Sequence, residues 1–300
     1  MKIKPHISIG LAAFNEAKNI HSLLNDLLTQ VSDNYVLDQI YVSCDGCTDD
    51  TAKIASSVDQ NKITVFENQD RKGKTRGLQQ ILKAFESDVI VFFDADVKLG
   101  TENVVHEVVS TFLSDSKTVV VGGNTEPFAP QTFFERAVYS TFVVFQQSRN
   151  TFHGGHNIYG CNGGCMAIRK DFAKTLKLPS VTNDDDYIYF SAKAQGLQFR
   201  HNPKAIVYYK LPTKLSDFLK QSFRSDPQAV AVNLESTFGK IVAEEYQRPK
   251  LIYIKFIWNA FKRYPLETLF IMFVRGVCLP LYPLISRHYK LDWYTAASTK

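Results

Sequence analysis

An unbroken apolar run, Val89-Ile90-Val91-Phe92-Phe93, ends in two carboxylates one residue apart, Asp94 and Asp96. A β-branched and aromatic run without alternation suits a central strand covered on both faces, and such strands in open α/β sheets carry ligands just beyond their carboxyl ends. Side chains two apart on an extended chain point the same way, so Asp94 and Asp96 can face one hard cation, which takes oxygen ligands. A phosphate bridged by that cation is the natural ligand. The other reading is a strand that simply stops at a turn, where Asp is common. The stretch therefore demands a fold that buries a strand on both sides, and the other motifs must decide between metal site and turn.

The chain before it repeats one pattern. Ile7 to Ala13 reads as a strand, followed by a helix with Ile20, Leu23, Leu24, Leu27 and Leu28 at helical spacing. Gln39 to Ser43 is a second strand ending at Cys44-Asp45-Gly46, with Thr48 as N-cap candidate for a helix over Thr51 to Val58. Ile63 to Phe66 is a third, followed by the basic loop Arg71-Lys72-Gly73-Lys74 and a helix carrying Leu78, Ile81, Leu82 and Phe85. Strands alternating with helices imply βαβ units and a largely parallel sheet. Beyond Asp96 the pattern loosens into a helix (Val104 to Leu113), a strand (Val119 to Gly122), an aromatic-rich stretch at 131–149 and a Gly-rich region at 152–165. Gly clusters permit close backbone approach to a ligand, and a plain turn accounts for them equally well. Asn183-Asp184-Asp185-Asp186 then opens a helix closed by Gly196. Acids at a helix start are favoured by the dipole, but three in a row exceed what a cap needs. A second carboxylate cluster is what a reaction requires when one cluster holds a metal and the other removes a proton.

Charge and cysteine narrow the class. Of the 35 Lys and Arg and 30 Asp and Glu, residues 240–300 hold ten and four, so the net charge of +5 sits in a basic C-terminal segment on a near-neutral body. That pattern fits an anionic surface for the segment and need not imply nucleic acid. Five cysteines are an odd count, for which free thiols are the default; zinc held by Cys44, Cys47, Cys161 and Cys165 is the lesser reading. The first residues lead straight into strand-like sequence without a signal-peptide pattern, so a cytoplasmic location is expected.

Taken together these residues resemble the inverting glycosyltransferases of family two, which have the GT-A fold, in register from about Ile7 to about Arg224. Ala13-Phe14-Asn15-Glu16 looks like the family's Tyr-Asn-Glu turn. Cys44-Asp45-Gly46-Cys47-Thr48-Asp49 looks like its Asp-Asp-Gly-Ser-Thr-Asp segment, which leaves Asp45 to contact the nucleotide base. Lys72 to Leu78 is similar to its Gly-Lys-x-x-Ala-Leu loop, and Asp94-Ala95-Asp96 to its metal-binding Asp-x-Asp. Asn183-Asp184-Asp185 matches its Thr-Glu-Asp, whose last acid is the catalytic base; Gly196 sets the register that makes this Asp185, with Asp184 and Asp186 one step away. Tyr209 stands where the family's metal-binding His falls. Gln221-Ser222-Phe223-Arg224-Ser225 resembles Gln-x-x-Arg-Trp with Ser225 for Trp, which favours single transfer over processive synthesis.

The resemblance implies an α/β chain with a mainly parallel, Rossmann-like GT-A sheet flanked by helices. It implies a catalytic domain over 1–238 and a basic, apolar helical segment over 239–300. The expected catalytic residues are Asp185, Asp184 and Arg224, and Asp94 and Asp96 are the expected ligands of Mg²⁺ or Mn²⁺. Ala13, Asn15, Glu16, Asp45, Lys72, Lys74 and Asp94 are expected to bind the donor, a UDP- or GDP-sugar. The acceptor is a lipid-linked or glycan hydroxyl, in cell-surface glycan or glycolipid synthesis, with no nucleic-acid partner. Two other functions stay open: a nucleotidyltransferase, whose Gly-x-Gly-Thr-Arg loop is missing after the first strand, and an inactive sugar-nucleotide-binding protein on a membrane. Over residues 250–290 the longest uncharged run, Gly276 to Ser286, falls short of the roughly 20 residues of a span. Two readings of that segment stand: helices lying on the anionic inner face of the cell membrane, or ordinary helices packed on the catalytic domain.

Overall fold

The computed structural model describes residues 4–179, 183–224, 227–247 and 249–286. In chain order β1 (His6–Ala13) leads to α1 (Ile20–Leu28), β2 (Val36–Asp45) to α2 (Thr51–Val58), and β3 (Ile63–Asn68) to α3 (Lys74–Ala84). Then come β4 (Val89–Asp94), β5 (Lys98–Leu99), α4 (Val104–Ser114), β6 (Thr118–Pro127) and α5 (Phe133–Thr151). Next follow β7 (Cys165–Arg169), α6 (Lys170–Ala173), α7 (Asp184–Ala194) and β8 (Gln198–Tyr209). The helices α8 (Leu215–Arg224), α9 (Pro227–Phe238), α10 (Lys240–Tyr246), α11 (Lys250–Arg263) and α12 (Pro265–Ser286) complete it.

The eight strands form one sheet in the order β3-β2-β1-β4-β7-β6-β8-β5. The first four pair in parallel, as the alternating pattern requires. Beyond β4 the registered pairs β4–β7, β6–β7 and β5–β8 are antiparallel, so the sheet is mixed. The change has a chain-level cause: β7 arrives from the Gly-rich region, not from a βα crossover. Val89 to Phe93 are all buried, between β1 and β7, as a strand covered on both faces must be. Gly10 of β1 makes room for this: a Cβ there would lie 2.5 Å from the Phe92 ring. The stripe of α1, with Ile20, Leu23, Leu24 and Leu27 buried, joins one face of the core.

The contacts divide the chain into two compact units, Met1–Glu126 with Gly160–Tyr209, and Pro127–Tyr159 with Lys210–Thr299. This division differs from the single boundary at 238. The reason is a long-range pairing that local sequence does not reveal: α5 packs with α11 and α12, more than a hundred residues on. The α5 start is fixed by a capping box, in which Thr132 and Glu135 exchange side-chain and backbone hydrogen bonds. Along α5, Arg136 pairs with Glu267 at 2.9 Å, Tyr139 meets Tyr264 edge-on, and Gln147 accepts from Asn259 at 2.7 Å. Among the described residues no helix is long and apolar enough to cross a membrane.

Candidate active site

Parallel strands bring their carboxyl ends to one edge, so β1, β2 and β4 deliver Ala13, Asp45 and Asp94 side by side; Ala12 is paired with Asp94, and Ala13 with Cys44. Ala13 is buried, and its carbonyl accepts from the Cys47 thiol. Asn15 sits at φ +53°, a conformation that Asn tolerates, and its side chain clamps the next turn: Oδ1 accepts from Thr48 N at 2.8 Å and Nδ2 donates to Thr48 Oγ1 at 3.0 Å. Thr48 therefore ties two turns together, while Asp50 occupies the N-cap position of α2. The Arg71 guanidinium stacks on Phe14, 3.8 Å from the ring centre. Glu16 is buried and accepts from Asn19 at 2.8 Å.

Asp45 is only 1% exposed. Its two oxygens accept from the backbone of Lys72 and Gly73, each at 2.8 Å. In this structure it acts as a clamp on the basic loop. The loop then separates its two lysines. Gly73, at φ +96°, turns the chain so that Lys74 starts α3. Lys72 stays 52% exposed with its ammonium 3.6 Å from Asp70, whereas Lys74 is 15% exposed and points inward.

Lys74 joins the two carboxylate clusters. Its Nζ lies 2.8 Å from Asp94 Oδ1 and 3.1 Å from Asp184 Oδ2. Burial alone would lower the ammonium pKa, but Asp184, Asp94 and Asp185 together raise it, so the lysine stays charged. Asp185 is next to this bridge, at the first turn of α7. Its Oδ2 accepts from Gly163 N at 3.2 Å and its Oδ1 from Asp186 N at 3.0 Å. Burial, then the negative charge of Asp184, pushes the Asp185 carboxyl up to about 6. A carboxylate of that basicity is a better proton acceptor than an ordinary Asp and is still ionised at neutral pH. Asp186 accepts from Asn183 at 3.0 Å.

Gly163 was not among the expected site residues. It lies over the bridge so closely that a Cβ would come within 2.6 Å of Lys74 Nζ and 3.3 Å of both Asp94 oxygens. The sequence signal was the Gly pair just before β7, which a plain turn explained equally well. Arg224 ends α8, and its side chain lies outside the described residues.

The donor set at the end of β4 fits a hard cation. Burial first, then repulsion from Asp94 and Glu16, pushes the Asp96 carboxyl up to about 7. Carboxylates that repel one another in this way are stabilised by a divalent ion between them. Among the described residues no group of three or more His, Cys, Asp or Glu converges on one metal-sized point, so a diphosphate and water would have to complete the shell. Cys44, Cys47, Cys161 and Cys165 are free thiols.

Comparison with known proteins places these features in context. The sequence model of glycosyl transferase family 2 matches residues 8–177. A poly-beta-1,6-N-acetyl-D-glucosamine synthase of Staphylococcus aureus is 21% identical over 224 residues, which are 73% of this chain and 53% of that protein. The chain thus spans about half the length of these curated relatives. The UDP-Glc:alpha-D-GlcNAc-diphosphoundecaprenol beta-1,3-glucosyltransferase WfaP of Escherichia coli is also 21% identical, over 72% of this chain and 84% of its own. Among solved structures, the mannosyltransferase PcManGT of Pyrobaculum calidifontis, in complex with GDP-Man and Mn²⁺, superposes with a TM-score of 0.59 at 15% identity, covering 95% of this chain and 80% of that one. Glucosyl-3-phosphoglycerate synthase of Mycobacterium tuberculosis, with Mn²⁺, UDP-glucose and phosphoglyceric acid, gives 0.57 at 20% identity, covering 78% and 80%. At such identities the likeness of structure speaks for the fold.

Proposed function

The chain belongs to glycosyl transferase family 2, and on that footing we propose that it moves a sugar from a nucleotide-sugar donor to an acceptor hydroxyl, with inversion at the anomeric carbon. The observation that carries this reading is the Asp94–Lys74–Asp184 bridge with Asp185 beside it. It joins a strand-end carboxylate suited to a metal and diphosphate to a carboxylate suited to take a proton. Mn²⁺ and UDP- or GDP-sugars in the solved relatives support the same donor class here. The relatives that build poly-N-acetylglucosamine and act on a diphosphoundecaprenol support a glycan or lipid-linked acceptor.

In the reaction the acceptor oxygen bonds to the anomeric carbon as the bond from that carbon to the diphosphate oxygen breaks. Asp185 takes the hydroxyl proton, and the nucleoside diphosphate leaves with the bonding electrons. Asp94 and Asp96 would hold Mg²⁺ or Mn²⁺, which when bound supplies Lewis-acid stabilisation of the leaving diphosphate. Lys74 holds Asp184 in an ion pair, and Asp185 stands beside it with its carboxyl raised by burial and by the charge of Asp184. Asn15 and Asp45 keep the β1–α1 turn and the 71–73 loop in place. Asn15, Glu16, Lys72 and the Ala13 backbone line the edge where the donor binds.

A thermal-shift screen of UDP-, GDP- and dTDP-sugars with Mn²⁺ tests this. One donor should raise the unfolding temperature in a metal-dependent way and release its nucleoside diphosphate on turnover, because a ligand that binds only the native state stabilises it. If no donor shifts the transition with or without metal, the reading fails.

A further inference from the structure

We propose that the outward faces of α11 and α12 form one docking surface for an anionic lipid bilayer. On α11, Leu251, Ile254, Lys255, Trp258 and Lys262 recur three or four residues apart and are exposed, while Phe256 and Ala260 are buried. On α12, Leu266, Leu269, Met272, Phe273 and Val277 are exposed, while Ile271 and Val274 are buried. Both helices pack against α5, so both stripes are turned away from it. Leu251 is 79% exposed, Leu266 and Phe273 69%, and Trp258 54%. A single exposed Leu needs no explanation, but two adjoining helices with such stripes do.

Charge selects the occupant. Residues 250–286 carry five Lys and Arg and one acid. That acid, Glu267, is drawn inward to Arg136 at 2.9 Å, its side chain 13% exposed. Among the described residues the outward stripes thus carry positive charge and no carboxylate. Such a face complements anionic headgroups, whereas a second copy of the chain would oppose like charges. Trp258 stacks on Phe261, their ring centres 5.4 Å apart, and the Lys262 ammonium is 5.8 Å from the Trp258 ring. An aromatic flanked by lysines is suited to the boundary between headgroups and acyl chains. With an apolar, basic stripe on one side and packing against α5 on the other, the pair would lie flat. The proposal rests on the transferase reading only for its purpose, bringing the chain to a lipid-linked hydroxyl.

The test is co-sedimentation of the full chain, without donor, with vesicles of phosphatidylcholine alone or mixed with phosphatidylglycerol. The wild type should bind the mixed vesicles, bind the neutral ones far less, and lose binding as salt is raised. Trp258→Ser with Phe273→Ser should abolish binding and leave the far-UV circular dichroism spectrum unchanged, since both side chains are more than half exposed. Lys255→Ala and Lys262→Ala should each weaken binding on the order of fivefold, as one charge near an anionic surface contributes about 1 kcal/mol. Equal binding by wild type and the Trp258/Phe273 variant overturns the proposal, as does a stable dimer by sedimentation velocity with no vesicle binding. Because no donor is present, failure here is distinguishable from failure of the transferase reading.

Discussion

The two units differ most in where they place large apolar side chains. In Met1–Glu126 with Gly160–Tyr209, Val36 and Leu113 are the exposed ones among the described residues. The other unit exposes Phe128, Phe133, Phe145, Leu215 and the run from Leu251 to Leu281. One half closes its strands over a continuous core and keeps polar groups for the strand ends. The other spends only one side of each C-terminal helix on internal packing. The contrast matches the two proposals: chemistry on an ionic substrate in the first unit, and contact with a less polar phase in the second.

The largest effect is expected at Asp185. Asp185→Asn should keep donor affinity and lose about 10²–10⁴-fold in turnover, the usual contribution of a positioned base; single-turnover kinetics beside calorimetry read both. As the proposed base, Asp185 works only when deprotonated. Since its carboxyl is raised to about 6, turnover should climb as pH rises through about 6 and level off above it, and the variant should lack that limb. Next is the core of the first unit. Phe93→Ala, at a fully buried site of β4, should destabilise by about 3–5 kcal/mol in denaturant unfolding. Asp96→Ala should weaken Mn²⁺-dependent donor binding at least about tenfold and leave binding in EDTA unchanged. Gly163→Ala should cost about 1 kcal/mol, because the added methyl meets the flexible end of Lys74 and moves it. At the smallest end, Phe273→Ala in the second unit should stay within about 0.5 kcal/mol of wild type, as an outward side chain has little packing to lose. A large loss there would mean that the face is covered within the chain.

The βα half was legible because each strand and helix states its period locally. Val89 to Phe93 reads as a buried strand, and Ile20 to Leu28 as an amphipathic helix, with no reference to distant residues. The carboxylates were legible for the same reason, each ending or starting an element. Lys74 was legible only as one of two donor-binding lysines; its bridge from Asp94 to Asp184 was not, because nothing in Arg71-Lys72-Gly73-Lys74 says which lysine the positive φ of Gly73 sends inward. Gly163 stayed hidden because its importance lies in what a side chain there would strike. The partnership of α5 with α11 and α12 was hidden for a third reason, since its aromatic contacts join segments over a hundred residues apart.

The anomeric configuration of the product decides whether Asp185 assists an inverting displacement. With an α-linked nucleotide sugar and an acceptor hydroxyl, displacement assisted by Asp185 requires a β-linked product, readable from the one-bond coupling between the anomeric carbon and its proton in the NMR spectrum. An α-linked product would mean retention and would remove Asp185 as the base of a single displacement.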